Sequence, residues 1–86
     1  MKICVVGTGN QGTGIAGLLA QENDVEKLIL VDIDKAKAEK AASLIKSLGD
    51  RCKVKDIVVH QGDASNTDQI AELGAGADFL FTKQYP

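Results

Sequence analysis

Large aromatic side chains are scarce in this chain, which has two phenylalanines, one tyrosine and no tryptophan among its 86 residues. A core built around aromatic rings is therefore excluded, and the hydrophobic interior has to come from Val, Ile, Leu and Ala. The length fits one small domain over residues 1–86 and leaves little room for a second. With 44% hydrophobic and 26% charged residues, the composition is that of an ordinary globular domain.

A stripe of basic residues is also missing. The formal net charge is −2 and the sequence pI is about 5.2, whereas proteins that bind the nucleic-acid backbone carry a basic face. No apolar run approaches the roughly 18 residues of a membrane span, and the N-terminal residues show no signal-peptide pattern. We therefore expect that neither nucleic acid nor a membrane is a partner. We also expect a cytoplasmic location.

Clusters of chemically reactive residues are lacking as well. The two cysteines, Cys4 and Cys52, do not have the spacing of metal ligands, and we expect one thiol buried in a strand and the other at the surface. The sequence shows no paired acids for acid–base work, no Ser-His-Asp set and no metal-binding cluster. We therefore predict no catalytic residue and no metal site in this chain.

What the chain does have is an ordered opening stretch. Residues 2–6 form an apolar, β-branched run, glycines follow at Gly7, Gly9 and Gly12, and a helical pattern begins at once. A strand, a glycine turn and a helix in this order are the context in which G-x-G-x-x-G indicates dinucleotide binding.

Each glycine of the turn has an expected task. Gly7 permits the tight turn out of the strand, Gly9 lets phosphates approach the backbone, and Gly12 lets the helix pack closely on the strand. The N–H groups at the helix start then face the pyrophosphate with the helix dipole behind them, and the hydroxyl of Thr8 or Thr13 is a further candidate donor. The predicted pyrophosphate-binding residues are Gly7, Thr8, Gly9, Asn10, Gln11 and Gly12.

An acidic residue stands at the distance from the turn that this motif requires. Asp32 lies 20 positions after the third glycine, where a carboxylate accepts hydrogen bonds from both adenosine ribose hydroxyls, and Ile33 is expected beside it. Such a carboxylate repels a 2′-phosphate, and Lys35 is the only cation near it in sequence. We therefore expect NAD as the cofactor, with NADP less favoured, and assign Lys37 and Lys40 to a solvated helix face without function.

Two further residues are candidates for the adenine pocket. Asp63 and Ala64 follow the third strand at the carboxyl edge of the sheet, which is the edge where ligands bind. A turn aspartate that only caps the next helix explains Asp63 equally well.

Strands and helices alternate along the chain. Strands are predicted at residues 2–6, 28–31, 54–59 and 78–81, and helices at residues 12–21, at residues 35–48 and in a short segment ending near Leu73. This βαβαβαβ alternation is typical of a parallel sheet with right-handed crossovers, here in the order 3-2-1-4. Since a complete Rossmann domain has six strands, we predict an α/β, Rossmann-like half domain.

Short-range signals predict how each helix starts, ends and packs. In the first helix the apolar positions are Ile15, Leu18 and Leu19, and Ala16 continues the small-residue face. The second helix is expected to start at an Asp34 cap, to end at Gly49, and to bury Ala38, Ala41, Ala42, Ile45 and Leu48. Ser65 or Asn66 is the predicted cap of the third helix.

Taken together, these residues resemble the N-terminal domain of saccharopine dehydrogenase-like oxidoreductases. The resemblance rests on the opening strand and turn, on Asp32, and on residues 24–28, 62–65 and 76–80, and it covers essentially the whole chain. It implies NAD(P)-dependent chemistry at a C–N bond in amino-acid metabolism. It also implies the glycine turn at the pyrophosphate, Asp32 at the ribose, and Asp63 with Ala64 near the adenine.

The chain departs from that family in two ways. After the fourth strand it reads Thr82-Lys83-Gln84-Tyr85-Pro86, where the family usually runs Asn-Ala-x-x-Pro toward the nicotinamide. The substrate half is missing, so we expect a fragment of a longer oxidoreductase whose partner is the missing substrate domain of the same polypeptide. By itself the chain should show no turnover, and a homodimer remains one option for its oligomeric state.

A second family is also similar. Regulatory nucleotide-sensing domains of potassium channels and transporters share the glycine turn, the aspartate after the second strand and a loop like residues 62–65. Under this alternative the domain binds NAD or ATP without catalysis. The approach to the second strand at residues 23–27 and the long second helix favour the dehydrogenase family.

Overall fold

The computed structural model describes residues 1–82, except for the side chains of Asn10 and Gln11; the predicted departure at residues 83–86 lies outside the described residues. Within that range the strands are β1 (Lys2–Val6), β2 (Lys27–Asp32), β3 (Asp56–Gln61) and β4 (Phe79–Thr82). The helices are α1 (Asn10–Ala20), α2 (Lys35–Lys46) and α3 (Thr67–Leu73), and a 3-10 helix spans Gly49–Arg51.

The four strands form one parallel sheet in the order β3-β2-β1-β4. Val6 of β1 is level with Val31 of β2 and with Thr82 of β4, so the carboxyl ends of these strands meet at one edge. The strand order reverses direction between β1 and β4, which makes this edge a topological switch point, where open α/β sheets bind ligands. The predicted order and the Rossmann-like half domain are confirmed.

The central strands are buried on both faces because helices cover both. Alternate residues of a strand point to opposite faces. On one face, Ile3, Val5, Leu28 and Leu30 pack with alanines of α1 and α2. On the other face, Cys4, Val6, Ile29 and Val31 pack with Ile70 of α3.

Helix α1 contacts the sheet through small residues. Gly12, Ala16 and Ala20 are buried at a spacing of four, which places them on one face of the helix. The apolar residues Ile15 and Leu18 are 41% and 69% exposed, so the predicted small-residue face, rather than these larger side chains, meets the sheet. Because α1 lies close against the sheet, the small residues occupy the interface and the larger ones are displaced to the flanks.

Helix α2 begins as predicted but ends earlier. The Asp34 side chain accepts a hydrogen bond of 3.0 Å from the Ala36 N–H, which confirms the cap. The helix ends at Lys46 with Ser47 as its C-cap, so the predicted end at Gly49 is wrong; Gly49, with φ of +62°, begins the 3-10 helix instead. Ala38, Ala41, Ala42 and Ile45 are buried as predicted, whereas Leu48 lies beyond the end of the helix and is only partly buried.

Strand β3 starts two residues later than predicted. The N–H groups of Lys53 and Val54 both donate to the carbonyl of Ala20, at 2.7 and 3.2 Å, and are therefore not available to the sheet.

The third helix is capped by Asn66, whose side chain accepts a 3.1 Å hydrogen bond from the N–H of Gln69.

Strand β4 is the least covered part of the sheet. Phe79, Leu80 and Phe81 are each between 42% and 54% exposed, and β4 pairs with β1 along one edge only among the described strands. None of the described helices is long and apolar enough to cross a membrane.

Candidate dinucleotide-binding site

The turn after β1 needs glycine at its first and last glycine positions. Gly7 has φ of +90°, a conformation that other residues rarely adopt, and its N–H donates to the Val31 carbonyl at 2.7 Å. A Cβ on Gly12 would lie 1.8 Å from the carbonyl oxygen of Gly7. The fold itself therefore requires both of these glycines.

The middle glycine has no such structural requirement. Gly9 is the N-cap of α1 with φ of −67° and ψ of −169°, a conformation open to any residue. A Cβ built on Gly9 would meet no heavy atom within 4 Å. Neither backbone strain nor packing explains a glycine here, whereas close approach of a ligand to the backbone does.

The threonine hydroxyls near the turn are used within the protein. Thr13 donates its hydroxyl to the Thr8 carbonyl at 2.9 Å, and Thr8 donates its hydroxyl to Asp32 at 2.8 Å. Both hydroxyl protons are thus engaged within the protein, and the donation of one of them to a pyrophosphate stays a prediction. Asn10 and Gln11 form the first turn of α1, and their side chains lie outside the described part of the chain.

The carboxylate of Asp32 is held by three internal donors at the end of β2. Its Oδ2 accepts from the N–H and the hydroxyl of Thr8 at 2.7 and 2.8 Å, and its Oδ1 accepts from the Asp34 N–H at 2.9 Å. Burial raises the pKa of Asp32, but the hydrogen bonds from Asp34 and Thr8 and the charge of Lys37 lower it more, so the net shift is downward. Asp32 is therefore a buried, ionised carboxylate at neutral pH.

A cleft of about 280 Å³ opens beside Asp32 at the carboxyl ends of β1, β2 and β3. Its lining brings together six of the predicted site residues: Gly7, Gly9, Asp32, Ile33, Asp63 and Ala64. We call it the adenosine cleft. Gly62 also lines it, and a Cβ there would lie 2.9 Å from the side chains of Val31 and Leu73, so a larger residue would push the loop out of place.

The loop after β3 holds itself in shape through Asp63. The Asp63 Oδ1 accepts hydrogen bonds from the Ser65 N–H and hydroxyl at 2.9 and 2.7 Å, and these bonds lower its pKa. Its own N–H donates to Gln69 Oε1 at 3.0 Å. Asn66, and not Asp63, caps α3, so Asp63 shapes the loop that presents Ala64 to the cleft.

Lys37 is a cleft residue that the sequence prediction missed. It lines the adenosine cleft, whereas Lys35, expected as the nearby cation, does not. Lys37 also lines a neighbouring cleft of about 470 Å³ with Lys40 and Gly9, so the assignment of Lys37 and Lys40 to a face without function is incomplete. The available signal was helix geometry: side chains in the first turn of α2 lean toward its N-terminus, where Asp32 lies.

A smaller, largely apolar pocket lies on the other side of the glycine turn, between β1 and β4. It measures about 140 Å³, and its lining includes Gly7, Gly12, Ile15 and Phe81. This apolar pocket and the adenosine cleft therefore flank the glycine turn at the switch point of the sheet.

Comparison with known proteins places this chain in a family. The model of the family described as saccharopine dehydrogenase NADP binding domain matches residues 3–81. This chain belongs to that family. The resemblance predicted from the sequence is confirmed, and the family's description supports the binding of a dinucleotide cofactor. The family's description names NADP, so it does not support the predicted preference for NAD.

A curated relative matches a shorter part of this NADP-binding domain. A segment of 38 residues is 50% identical to L-lactate dehydrogenase 2 of Enterococcus faecalis (strain ATCC 700802 / V583). That match covers 44% of this chain and 12% of the length of the relative. No solved structure matches the chain.

Proposed function

We propose that this chain is the cofactor-binding domain of an NAD(P)-dependent oxidoreductase that acts on C–N bonds in amino-acid metabolism. When bound, the dinucleotide supplies hydride transfer, and the residues of this chain bind and orient it. The observation that carries the proposal is the open space at Gly9, a glycine that neither the backbone conformation nor the packing requires. It stands at the N-terminus of α1, where the helix dipole favours an anion.

Different residues around the glycine turn bind three different parts of the cofactor in this proposal. In this proposal Gly9 and the first turn of α1 bind the pyrophosphate, and the adenosine cleft binds the adenosine half. The nicotinamide half then points to the apolar pocket between β1 and β4, beside Phe81. This arrangement is supported by the two cavities that share Gly7 at the switch point.

The proposal includes both forms of the cofactor. The ionised Asp32 favours a free ribose hydroxyl over a 2′-phosphate, as the sequence predicted, whereas the family description favours NADP. Since Lys37 offsets part of the negative charge of the cleft, we propose that NAD and NADP bind with affinities within about tenfold of each other, a difference of about 1.4 kcal/mol.

The substrate and the catalytic residues are assigned to a further domain of the same polypeptide. The support is the resemblance to saccharopine dehydrogenase-like oxidoreductases, together with the lack of paired acids or a nucleophile–base set in the sequence. The chain alone is therefore expected to bind cofactor without turnover. A polypeptide that includes the substrate domain should oxidise NAD(P)H when an amine and a carbonyl compound are added together, and inactivity toward such pairs would contradict the C–N assignment.

The binding proposal is tested by calorimetry of the chain with NAD⁺, NADP⁺ and ATP, using Gly9→Ala and, as a matched control, Gly14→Ala. Both positions have open space for a Cβ, so both variants should keep the thermal unfolding behaviour of a folded domain. We expect Gly9→Ala to weaken dinucleotide binding about tenfold or more, because its methyl group occupies the space of the pyrophosphate, and Gly14→Ala to bind normally. Equal binding by both variants would overturn the proposal, and ATP binding as tight as NAD⁺ would favour the sensor alternative.

A further inference from the structure

The adenosine cleft is lined by more negative than positive side chains, which affects the choice between NAD and NADP. Two carboxylates, Asp32 and Asp63, and one ammonium group, Lys37, line it. Without Lys37 a 2′-phosphate would meet two negative charges and no positive one. Among the described residues that line the cleft, Lys37 is therefore the one positive charge available to a 2′-phosphate.

Asp32 has little capacity left for the ribose. A carboxylate offers about four acceptor positions, and three of those on Asp32 are taken by Thr8 and Asp34. Accepting both ribose hydroxyls would require one of these partners to leave. The contact that normally selects NAD is therefore weaker here than the sequence pattern alone predicts.

Lys37 is free to bind an additional anion. Among residues 1–82 the ion pairs within 4 Å are those of the N-terminal amine with Glu26 and of Lys27 with Asp56, so no carboxylate in that part of the chain holds the Lys37 ammonium. Lys37 is exposed, and it borders both the adenosine cleft and the neighbouring cleft. The Lys37 side chain therefore lies at the boundary of two open clefts.

We propose that Lys37 is a specificity-determining residue whose ammonium group binds the 2′-phosphate of NADP(H) and so lets the domain accept both cofactor forms. The inference rests on the proposed binding of the dinucleotide at the adenosine cleft. Lys37 distinguishes the two forms because only NADP(H) carries a charged group at the 2′ position.

The test is calorimetry with NADP⁺ and NAD⁺, two probes that differ only in the 2′-phosphate, at low ionic strength. The variants are Lys37→Gln and, as a matched control, Lys35→Gln, which removes the same charge from the same helix turn outside the cleft. We expect Lys37→Gln to weaken NADP⁺ binding about tenfold more than it weakens NAD⁺ binding, the effect of losing a charge-assisted hydrogen bond to the 2′-phosphate. Lys35→Gln should leave the ratio of the two affinities unchanged.

Each other outcome counts against a specific claim. If both cofactors bind and Lys37→Gln leaves their affinity ratio unchanged, the role of Lys37 is refuted while the proposed function stands. If Lys35→Gln lowers the ratio as much as Lys37→Gln, general electrostatics explains the preference and the specific role is again refuted. If the unmodified chain binds neither cofactor, the proposed function fails, and the role of Lys37 fails with it.

Discussion

Thr8 donates both its backbone N–H and its hydroxyl to the same carboxylate oxygen of Asp32, at 2.7 and 2.8 Å in a buried environment. The two residues are 24 positions apart in sequence and lie at the ends of neighbouring strands. Their contact ties the glycine turn to the end of β2. The shape of the turn and the charge of the cleft therefore depend on the same pair of residues.

Removing the Thr8 hydroxyl should destabilise the domain. Thr8→Val keeps the β-branched shape but leaves the buried Asp32 carboxylate without one donor. We expect the free energy of unfolding to fall by about 1–3 kcal/mol, the cost of a lost hydrogen bond to a charged group, as measured by urea denaturation. Thr8→Ser retains the hydroxyl and serves as the control; a loss in Thr8→Ser as large as in Thr8→Val would show that methyl packing, and not the hydrogen bond, matters.

Acid should weaken the fold through Asp32. Because the folded-state pKa of Asp32 lies below its ordinary value of 3.8, the ionised group stabilises the native state above that value. This contribution is lost as the pH falls through 3.8 toward the lower folded-state pKa. A residue-specific NMR titration of the side-chain carboxyl carbon should give a midpoint below 3.8, and a midpoint at or above it would contradict the hydrogen-bonding arrangement.

Two glycines of α1 should respond oppositely to alanine. Gly12→Ala places a Cβ against the Gly7 carbonyl, a backbone group that cannot move aside, and we expect a loss of at least about 3 kcal/mol or failure to fold. Gly17→Ala meets no atom within 4 Å and should stabilise the helix by up to about 1 kcal/mol. Urea denaturation measures both, and a mild effect of Gly12→Ala would show that α1 can shift away from the turn.

The two thiols should differ in reactivity. Cys4 is fully buried in β1, and burial raises its pKa to about 11, so its reactive thiolate form is rare. Cys52 is only partly buried. Iodoacetamide labelling followed by peptide mass spectrometry should modify Cys52 first in the native protein and both residues at similar rates in denaturant. Equal native rates would mean that the β1 region opens readily.

Much of the fold follows from short-range patterns. Continuous β-branched runs predict buried parallel strands, and Asp34 and Asn66 predict helix starts because a cap depends only on residues two or three positions away. The end of α2 was predicted less well, and the helical spacing of Ile15 and Leu18 in α1 does not correspond to burial. Hydrophobic periodicity shows where apolar residues recur, but it does not show how closely a helix approaches a sheet. Because α1 lies close to the sheet, small residues fill the interface and Leu18 is left exposed.

The grouping of the predicted site residues at one edge of the sheet follows from the sequence, but the contacts among them do not. The glycine turn, Asp32 and the loop of Asp63 follow from strand ends that share one edge of the sheet. The engagement of Asp32 by Thr8 is a contact between distant parts of the chain, which no local pattern encodes. Lys37 was missed because distance from Asp32 was judged along the sequence, whereas the first turn of α2 brings this lysine back over the cleft.

The fold requires glycine at Gly12 but not at Gly9, and this difference affects how homologous sequences should be classified. A descendant that loses Gly12 must rebuild the contact between helix and strand, so this glycine should persist even in copies that have abandoned the cofactor. Gly9 is under no such constraint from the architecture. We therefore expect the middle glycine to be the position that separates homologues that bind the dinucleotide from those that have kept only the sheet.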